Sequence, residues 1–269
     1  MPLTEAQLDA AARSLFDAEM SRAVIPQLSK SHPELVLAES YEIQRRWVKH
    51  HLAEGRRIVG HKIGLTSRAM QMASKMTEPD YGALLDHMMF RDGQTIPAGR
   101  FIKPRLEVEL AFVLKDDLSG PGCNIYDVMR ATEVVVPALE IIDYRTEVPR
   151  AITDTIADNA ASGGVVVGGR PVRPFDVDIR WVAATLSKNG IIEESGVSAA
   201  IMGHPAAGVL NHPATAVAWL ANKLADQGEV LRKGQFILGG SFTRPVDIVS
   251  GDVIQADYGP LGAIGISFA

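Results

Sequence analysis

The sequence predicts an α+β chain in which a β-rich core follows an N-terminal helical cap. Three observations lead there. Helical spacing of apolar residues dominates the first part of the chain. From Arg57 onward the apolar runs are short and bounded by Gly, Pro, Asn and Asp, the texture of many short strands. No Pro/Ser-rich linker, low-complexity stretch or internal repeat divides the chain beyond Arg57, so the expected organisation is a cap over 1–56 and one integrated catalytic core over 57–269.

Thr4 and Gln7 have the spacing of a capping box, and Leu8, Ala11, Ala12, Leu15 and Phe16 follow on one helical face. A second helix is expected from Glu39 to Leu52, with Ile43, Trp47, Val48 and Leu52 as its apolar stripe. Strands are expected over Arg57–Ile63, Phe101–Leu114 and Val134–Ile142, and in the valine run framed by Gly163 and Gly168. Asn189-Gly190 is a two-residue hairpin signal between Ile179–Lys188 and Ile191–Glu194, because both positions tolerate positive φ. Pro213–Leu224 reads as a helix with Pro in its first turn. The tail from Phe236 to Phe268 reads as several short strands.

A length of 269 residues is enough to bury a sizeable core, and 46% hydrophobic with 22% charged residues is ordinary for a globular chain. The net charge of -5 and the absence of Lys/Arg runs argue against nucleic acid as a partner, since phosphate binding needs a concentrated positive field. They leave a small anionic substrate open. No apolar stretch approaches the roughly 20 residues of a membrane span. No secretory pattern opens the chain, so no membrane partner and a cytoplasmic location are expected. With a single cysteine, Cys123, set in a turn-like Pro-Gly-Cys-Asn, no internal disulfide forms. The chain lacks Gly-x-Ser-x-Gly, His-Glu-x-x-His, Cys-x-x-Cys and a phosphate-binding Gly-rich loop. His50 and His51 on the second helix are expected at the surface, and His204 and His212, each before Pro, in loops.

The sharpest local feature is Arg105-Leu-Glu-Val-Glu-Leu110. Strand side chains alternate, so Glu107 and Glu109 share one face, with Arg105 on it too. Glu140 lies in Val134-Val-Val-Pro-Ala-Leu-Glu-Ile-Ile142, where a charge is expensive unless paired or ligated. Three carboxylates from two strands suit a hard cation such as Mg²⁺ or Mn²⁺, which leaves positions for water and substrate. The competing reading of the Glu107/Glu109 pair is a solvated strand face. Lys62, in Gly60-His-Lys-Ile-Gly64, is either a solvated edge residue or a buried acid–base. Asp80, in Glu78-Pro-Asp-Tyr-Gly82, reads as a turn residue by itself. So do Asp158 and Asn159.

Taken together, Gly60-His-Lys-Ile-Gly-Leu-Thr-Ser67, Glu78-Pro-Asp-Tyr-Gly-Ala-Leu-Leu85, Pro104–Phe112, Pro137-Ala-Leu-Glu140, Asp158-Asn159 and Gly239–Pro245 resemble the hydratase/decarboxylase family of meta-cleavage pathways, from the second helix to the C-terminus. The resemblance implies a core like the C-terminal domain of fumarylacetoacetase. It implies metal ligation by Glu107, Glu109 and Glu140, an active-site Lys62 with Asp80 as its acidic partner, and Ser162 lining the site. It also implies a homo-oligomer, with a pentamer of dimers (a decamer) as one candidate. The implied activity is hydration of a 2-oxo or 2-hydroxydienoic dicarboxylic acid with Mg²⁺ or Mn²⁺ as cofactor. The rivals are decarboxylation of a 2-oxo acid, C–C hydrolysis of the fumarylacetoacetase type, and a non-catalytic partner subunit. The hydrolase type places a His/Glu pair on a lid, and the first 60 residues show no convincing pair. Arg244 lies in a turn that in this resemblance leads toward the substrate, and a guanidinium grips a carboxylate through two parallel hydrogen bonds. It is therefore the candidate reader of the distal carboxylate, with Arg105 as competitor and a surface arginine capping the turn as the plain alternative.

Overall fold

The computed structural model describes residues 2–202 and 212–269. Three helices come first: α1 (Glu5–Ser21), α2 (Leu28–Ser31) and α3 (Leu37–Ala53). Thr4 caps α1, accepting from the Gln7 amide while the Gln7 side chain returns to the Thr4 backbone. Then come β1 (Ile58–Gly64), α4 (Arg68–Ala73), β2 (Asp80–Leu85), β3 (Met89–Arg91), β4 (Thr95–Ile96) and β5 (Arg105–Leu114). After them lie α5 (Ile125–Ala131), β6 (Thr132–Ile142), α6 (Ile152–Ala157), β7 (Ser162–Val167), β8 (Ala183–Lys188) and β9 (Ile191–Val197). The described chain ends with α7 (Pro213–Ala225), β10 (Phe236–Leu238), β11 (Val246–Asp247), β12 (Val253–Asp257) and β13 (Ala263–Phe268).

Two sheets result among the described residues. The eight-stranded one runs β2-β1-β10-β5-β6-β7-β3, with β11 also on β5; the five-stranded one runs β4-β13-β12-β8-β9. The hairpin expected at Asn189-Gly190 joins β8 to β9, with φ of 55° and 81° at the two turn residues. Ile179–Trp181, expected as strand, forms a single 3₁₀ turn before β8. The stretch from Phe101 to Pro104 is not strand either, so β5 begins at Arg105.

The apolar stripes of α1 and α3 form a cluster around Leu15, Ile43 and Trp47 that continues into Ala83, Leu85 and Met88 of the sheet region. Cap and core therefore share buried surface. His51 corrects an expectation: it is buried, not exposed, because it faces α1, where its Nε2 lies 3.3 Å from Glu19. Glu19 also neighbours His87 at 3.5 Å and Arg100 at 3.8 Å, which is what permits a carboxylate there. A His/Glu pair thus exists within the first 60 residues. It is sealed in the cap core, and its members are too far apart in sequence to read as a pair. His212 caps α7 by accepting from the Ala214 amide, and His204 lies outside the described residues. Among the described residues no helix is long and apolar enough to cross a membrane.

Trp47 is fully buried and receives the Arg145 guanidinium over its ring at 5.3 Å. Trp47→Ala is expected to cost about 3–5 kcal/mol of stability, read from the denaturant midpoint; a loss under about 1 kcal/mol would show that the cap packs loosely on the core.

Candidate active site

β5 and β6 lie side by side at the centre of the large sheet, and their antiparallel register sets Glu107 directly opposite Glu140. Glu109 is two residues along the same face. One carboxylate oxygen from each of the three lies within 4.8 Å of the others, the only such acidic or His/Cys cluster among the described residues. Glu109 and Glu140 are buried, and Glu107 is partly open. Burial excludes the solvated-face reading of the pair: Glu109 is 1% exposed and Glu107 is open only in part.

Lys62 lies on β1, flanked by β2 and β10, so it is an interior residue and not an edge one. Its Nζ donates to the Ala160 carbonyl at 2.9 Å and stands 3.2 Å from Glu140 Oε1. Asp80, read from sequence as a turn residue, instead opens β2 and is buried. It pairs with Gly64 across the β1–β2 ladder. A side chain at Gly64 would fall 2.1 Å from Asp80 Oδ1 and 3.2 Å from Lys62 Nζ. Glycine is needed there to let the acid and the lysine approach.

The electrostatics follow from burial. Burial raises the Glu107 carboxyl to about 8, with the Glu140 charge next in weight and Lys62 opposing. Glu109 is held well above the usual carboxylate range by burial and by the other two glutamates, and Glu140 is raised by burial against the pull of Lys62. Burial also raises Asp80, against Lys62. Burial alone would lower Lys62, but Glu140, Asp80, Glu107 and Glu109 together hold it above its ordinary value. Apart from the Lys62 ion pair, both Glu140 oxygens and Asp80 Oδ1 accept no hydrogen bond, while Glu109 accepts one, from the Gly240 amide at 2.9 Å. Oxygen donors crowded together, buried and short of protons are what a hard divalent cation satisfies.

A cavity of about 420 Å³ opens onto Glu107, walled by Gly64–Ser67, Ser195 and Ser241–Pro245, with Glu194 and Arg244 also on its lining. A wider groove of about 720 Å³ around Trp181 and Tyr258 contains none of the site residues. The Arg244 side chain is 86% exposed and bonds Glu194 at 2.7 Å. Arg105 shares the strand parity of the glutamates. Its guanidinium nevertheless turns to Asp247 at 2.9 Å and the Pro245 carbonyl at 3.2 Å, and it does not line the cavity. Ser162 is fully buried at the start of β7, its Oγ without a partner. Cys123 is a half-buried thiol raised to about 11, mainly by burial, which leaves it inert at neutral pH.

Three groups escaped sequence reasoning. Asp158 is fully buried and pairs with Arg145 and Arg150. Asn159 bonds both the amide and the carbonyl of Ala83 in β2. Asn159, Ala160 and Ala161 then take φ of 49°, 50° and 62°, three consecutive left-handed residues without glycine. The two alanines each cost roughly 1–2 kcal/mol, so the turn persists only because its surroundings impose it. The Asp-Asn pair was the available signal, but nothing local distinguishes it from an ordinary turn.

No family model matches the chain. It is 53% identical over 264 residues to 2-oxo-hept-4-ene-1,7-dioate hydratase of Escherichia coli, covering 96% of each chain. The structure of 4-oxalocrotonate decarboxylase from Pseudomonas putida G7, complexed with magnesium and adipate, superposes with a TM-score of 0.94 at 35% identity, covering 100% of this chain and 99% of that one. A protein from Yersinia pestis CO92, described as of the fumarylacetoacetate hydrolase family, matches with a TM-score of 0.55 at 15% identity, over 78% of this chain and 92% of that one, and shows the fold alone. Fold and site together define an enzyme built on the fumarylacetoacetase-like fold, with a carboxylate centre fit for a divalent cation. The chain belongs to the hydratase/decarboxylase family of meta-cleavage pathways.

Glu140→Gln is expected to lower Mg²⁺ affinity by about tenfold or more, measured by titration calorimetry; unchanged affinity would remove Glu140 from the ligand set. A pH dependence follows from the raised carboxyls. In the metal-free protein they favour the fold while protonated, below their unfolded range. That stability is lost as pH rises through about 8 for Glu107. Cation binding needs the ionised forms, so the Tm gain from saturating Mg²⁺ should grow from about pH 6 to about pH 9. A gain that is flat or falls with pH contradicts this.

Proposed function

We propose that the chain is a divalent-metal-dependent hydratase that adds water to 2-oxo-hept-4-ene-1,7-dioate, or its 2-hydroxydienoate tautomer, giving 4-hydroxy-2-oxoheptanedioate. The carrying observation is the Glu107/Glu109/Glu140 cluster with Lys62 and Asp80 beside it, behind a cavity sized for a small acid. The 53% identity to a hydratase of that substrate, against 35% to the decarboxylase, favours hydration. Decarboxylation of a 2-oxo acid is the second reading, kept because the decarboxylase superposes so closely; CO₂ release would distinguish it.

Glu107, Glu109 and Glu140 would hold the cation, with Mg²⁺ as the proposed ion and Mn²⁺ fitting the same donors. When bound it supplies a Lewis acid beside the substrate's C1 carboxylate and 2-oxo group, where negative charge develops on oxygen. Lys62 and Asp80 move the protons. One is taken from C3 and one delivered to C5, which shifts the double bond from C4–C5 to C3–C4, in conjugation with the ketone. Water then adds its oxygen to C4 and a proton reaches C3. Burial draws Lys62 down toward the range where it exchanges protons, against the pull of Glu140 and Asp80 beside it. Arg244, at the cavity wall, is the proposed reader of the C7 carboxylate, and Ser162 and Arg105 are secondary contacts or supports. The reading extends to a cytoplasmic enzyme of homoprotocatechuate breakdown that assembles as a homo-oligomer, a decamer being one form. Exposed Phe175, Trp181, Ile191 and Ile192 offer apolar surface for self-association.

Lys62→Ala should lower kcat far more than it changes KM, since proton transfer acts in the transition state; wild-type kcat would refute the assignment. Arg244→Ala should lower kcat/KM for the seven-carbon diacid by about 2–3 kcal/mol while sparing a monoacid such as 2-hydroxypenta-2,4-dienoate. Equal losses on both substrates, or none on either, would make Arg244 structural.

A further inference from the structure

Lys62 has a neutral partner as well as its acidic ones: the carbonyl of Ala160, at 2.9 Å. That carbonyl is aimed by the left-handed turn Asn159–Ala161. The turn contains no glycine, so something outside it must fix its shape. Arg145 does so from a position 1% exposed. Its Nη1 donates to the Ser162 carbonyl at 2.9 Å, where the chain leaves the turn, and its Nη2 to the Asp158 carbonyl at 2.7 Å, where the chain enters. Its Nε bonds the Asp158 carboxylate, whose second oxygen takes the Arg145 amide at 2.9 Å. One planar guanidinium thus spans both ends of the turn. Arg145 is in turn held by the cap, stacked on Trp47 of α3.

We propose that Arg145 is a positioning residue for catalysis: it clamps the strained turn that seats Lys62 through the Ala160 carbonyl, and the helical cap serves the site by holding Arg145. The inference rests on the reading of Lys62 as the proton carrier and adds the device that places it. No side chain of α1, α2 or α3 lines the cavity, so the cap acts from behind the site: through Trp47 on Arg145, and through Gln44 of α3, whose amide donates to the carbonyls of Tyr81 and Ile156. Lysine at this position would keep the charge but cannot bridge two carbonyls and a carboxylate at once.

The test compares wild type with Arg145→Lys, loaded with Mg²⁺ and assayed on 2-oxo-hept-4-ene-1,7-dioate. Expected are a kcat lower by about 10- to 100-fold, KM and Mg²⁺ affinity close to wild type, and faster hydrogen exchange at the amides of residues 159–162. Adding Ala160→Gly and Ala161→Gly to Arg145→Lys removes the strain that the clamp opposes, and should restore part of the lost kcat. Asp158→Asn, which keeps the shape and weakens the clamp, gives a second route should Arg145→Lys fail to fold, with the same readouts. The clamp is overturned by a folded Arg145→Lys with wild-type kcat and unchanged exchange, or by a loss of Mg²⁺ affinity that matches the loss of kcat. Full turnover in Lys62→Met would instead refute the role of Lys62, a result separable from the exchange at the turn.

Discussion

The constraint on which the structure depends is the crowding of four carboxylates, the buried Glu109, Glu140 and Asp80 and the half-buried Glu107, against one buried ammonium, Lys62. Four negative charges against one positive leave three uncompensated if all ionise. Like charges at these separations repel by several kcal/mol even at an effective dielectric of about 20. The fold has few means of relief: protonation of the acids, the Gly240 amide on Glu109, and a cation. The centre is therefore held against its own electrostatics by the rest of the molecule. That is why it sits on the two longest and most thoroughly paired strands, β5 and β6, with Leu106, Val108 and Leu110 packed on the opposite face.

The backbone answers the same demand. Gly64 lets Asp80 and Lys62 share a small space across the β1–β2 ladder. Gly240, at φ 107°, brings its amide to Glu109 while pressed against Thr66, where a side chain would fall 2.1 Å from the hydroxyl oxygen. Asn159 ties the turn on which Lys62 depends to β2, the strand that carries Asp80. Lys62, Asp80 and the turn are thereby one connected unit. A shift in any of them moves the others.

How much of this was legible in the sequence depends on the range of each interaction. The capping box at Thr4, the stripes of α1 and α3, the Asn189-Gly190 hairpin and the same-face Glu107/Glu109 pair are local, set by alternation, helical spacing or two-residue turn chemistry, and the chain carries them openly. Glu140 stood out because a charge in an apolar run needs a partner. What local patterns could not carry was partnership at a distance. Asp80 looked like a turn residue because its burial depends on β1 pairing beside it. His51 looked exposed because Glu19 lies a helix away. Lys62 was ambiguous until both neighbours of β1 were known. Arg145 gave no signal, and the left-handed turn gave only the Asp158-Asn159 pair, since alanine is not a residue that announces positive φ. The acidic-partner reading of Asp80 and the site-lining reading of Ser162 came through family resemblance and not through local patterns.

The site also divides by depth, and the division bears on how one fold accommodates related reactions. Glu109, Glu140, Lys62 and Asp80 lie beneath the cavity, on sheet strands whose register cannot slip without turning their faces over. The cavity mouth is built differently. Arg244 and Pro245 come from the loop before β11, Glu194 and Ser195 from β9 at the edge of the second sheet, and Ser67 and Met70 from the region of α4. Loops and edge strands accept substitution at little cost to the core. On the proposed reading the 2-oxo end of the substrate would face the buried part and the far end would meet the mouth. A decarboxylase shares this fold at a TM-score of 0.94 with only 35% identity, so the backbone framework tolerates extensive sequence change. The backbone that places charged groups in the interior is constrained by electrostatics, and the loops and edge strand at the cavity mouth carry no such constraint.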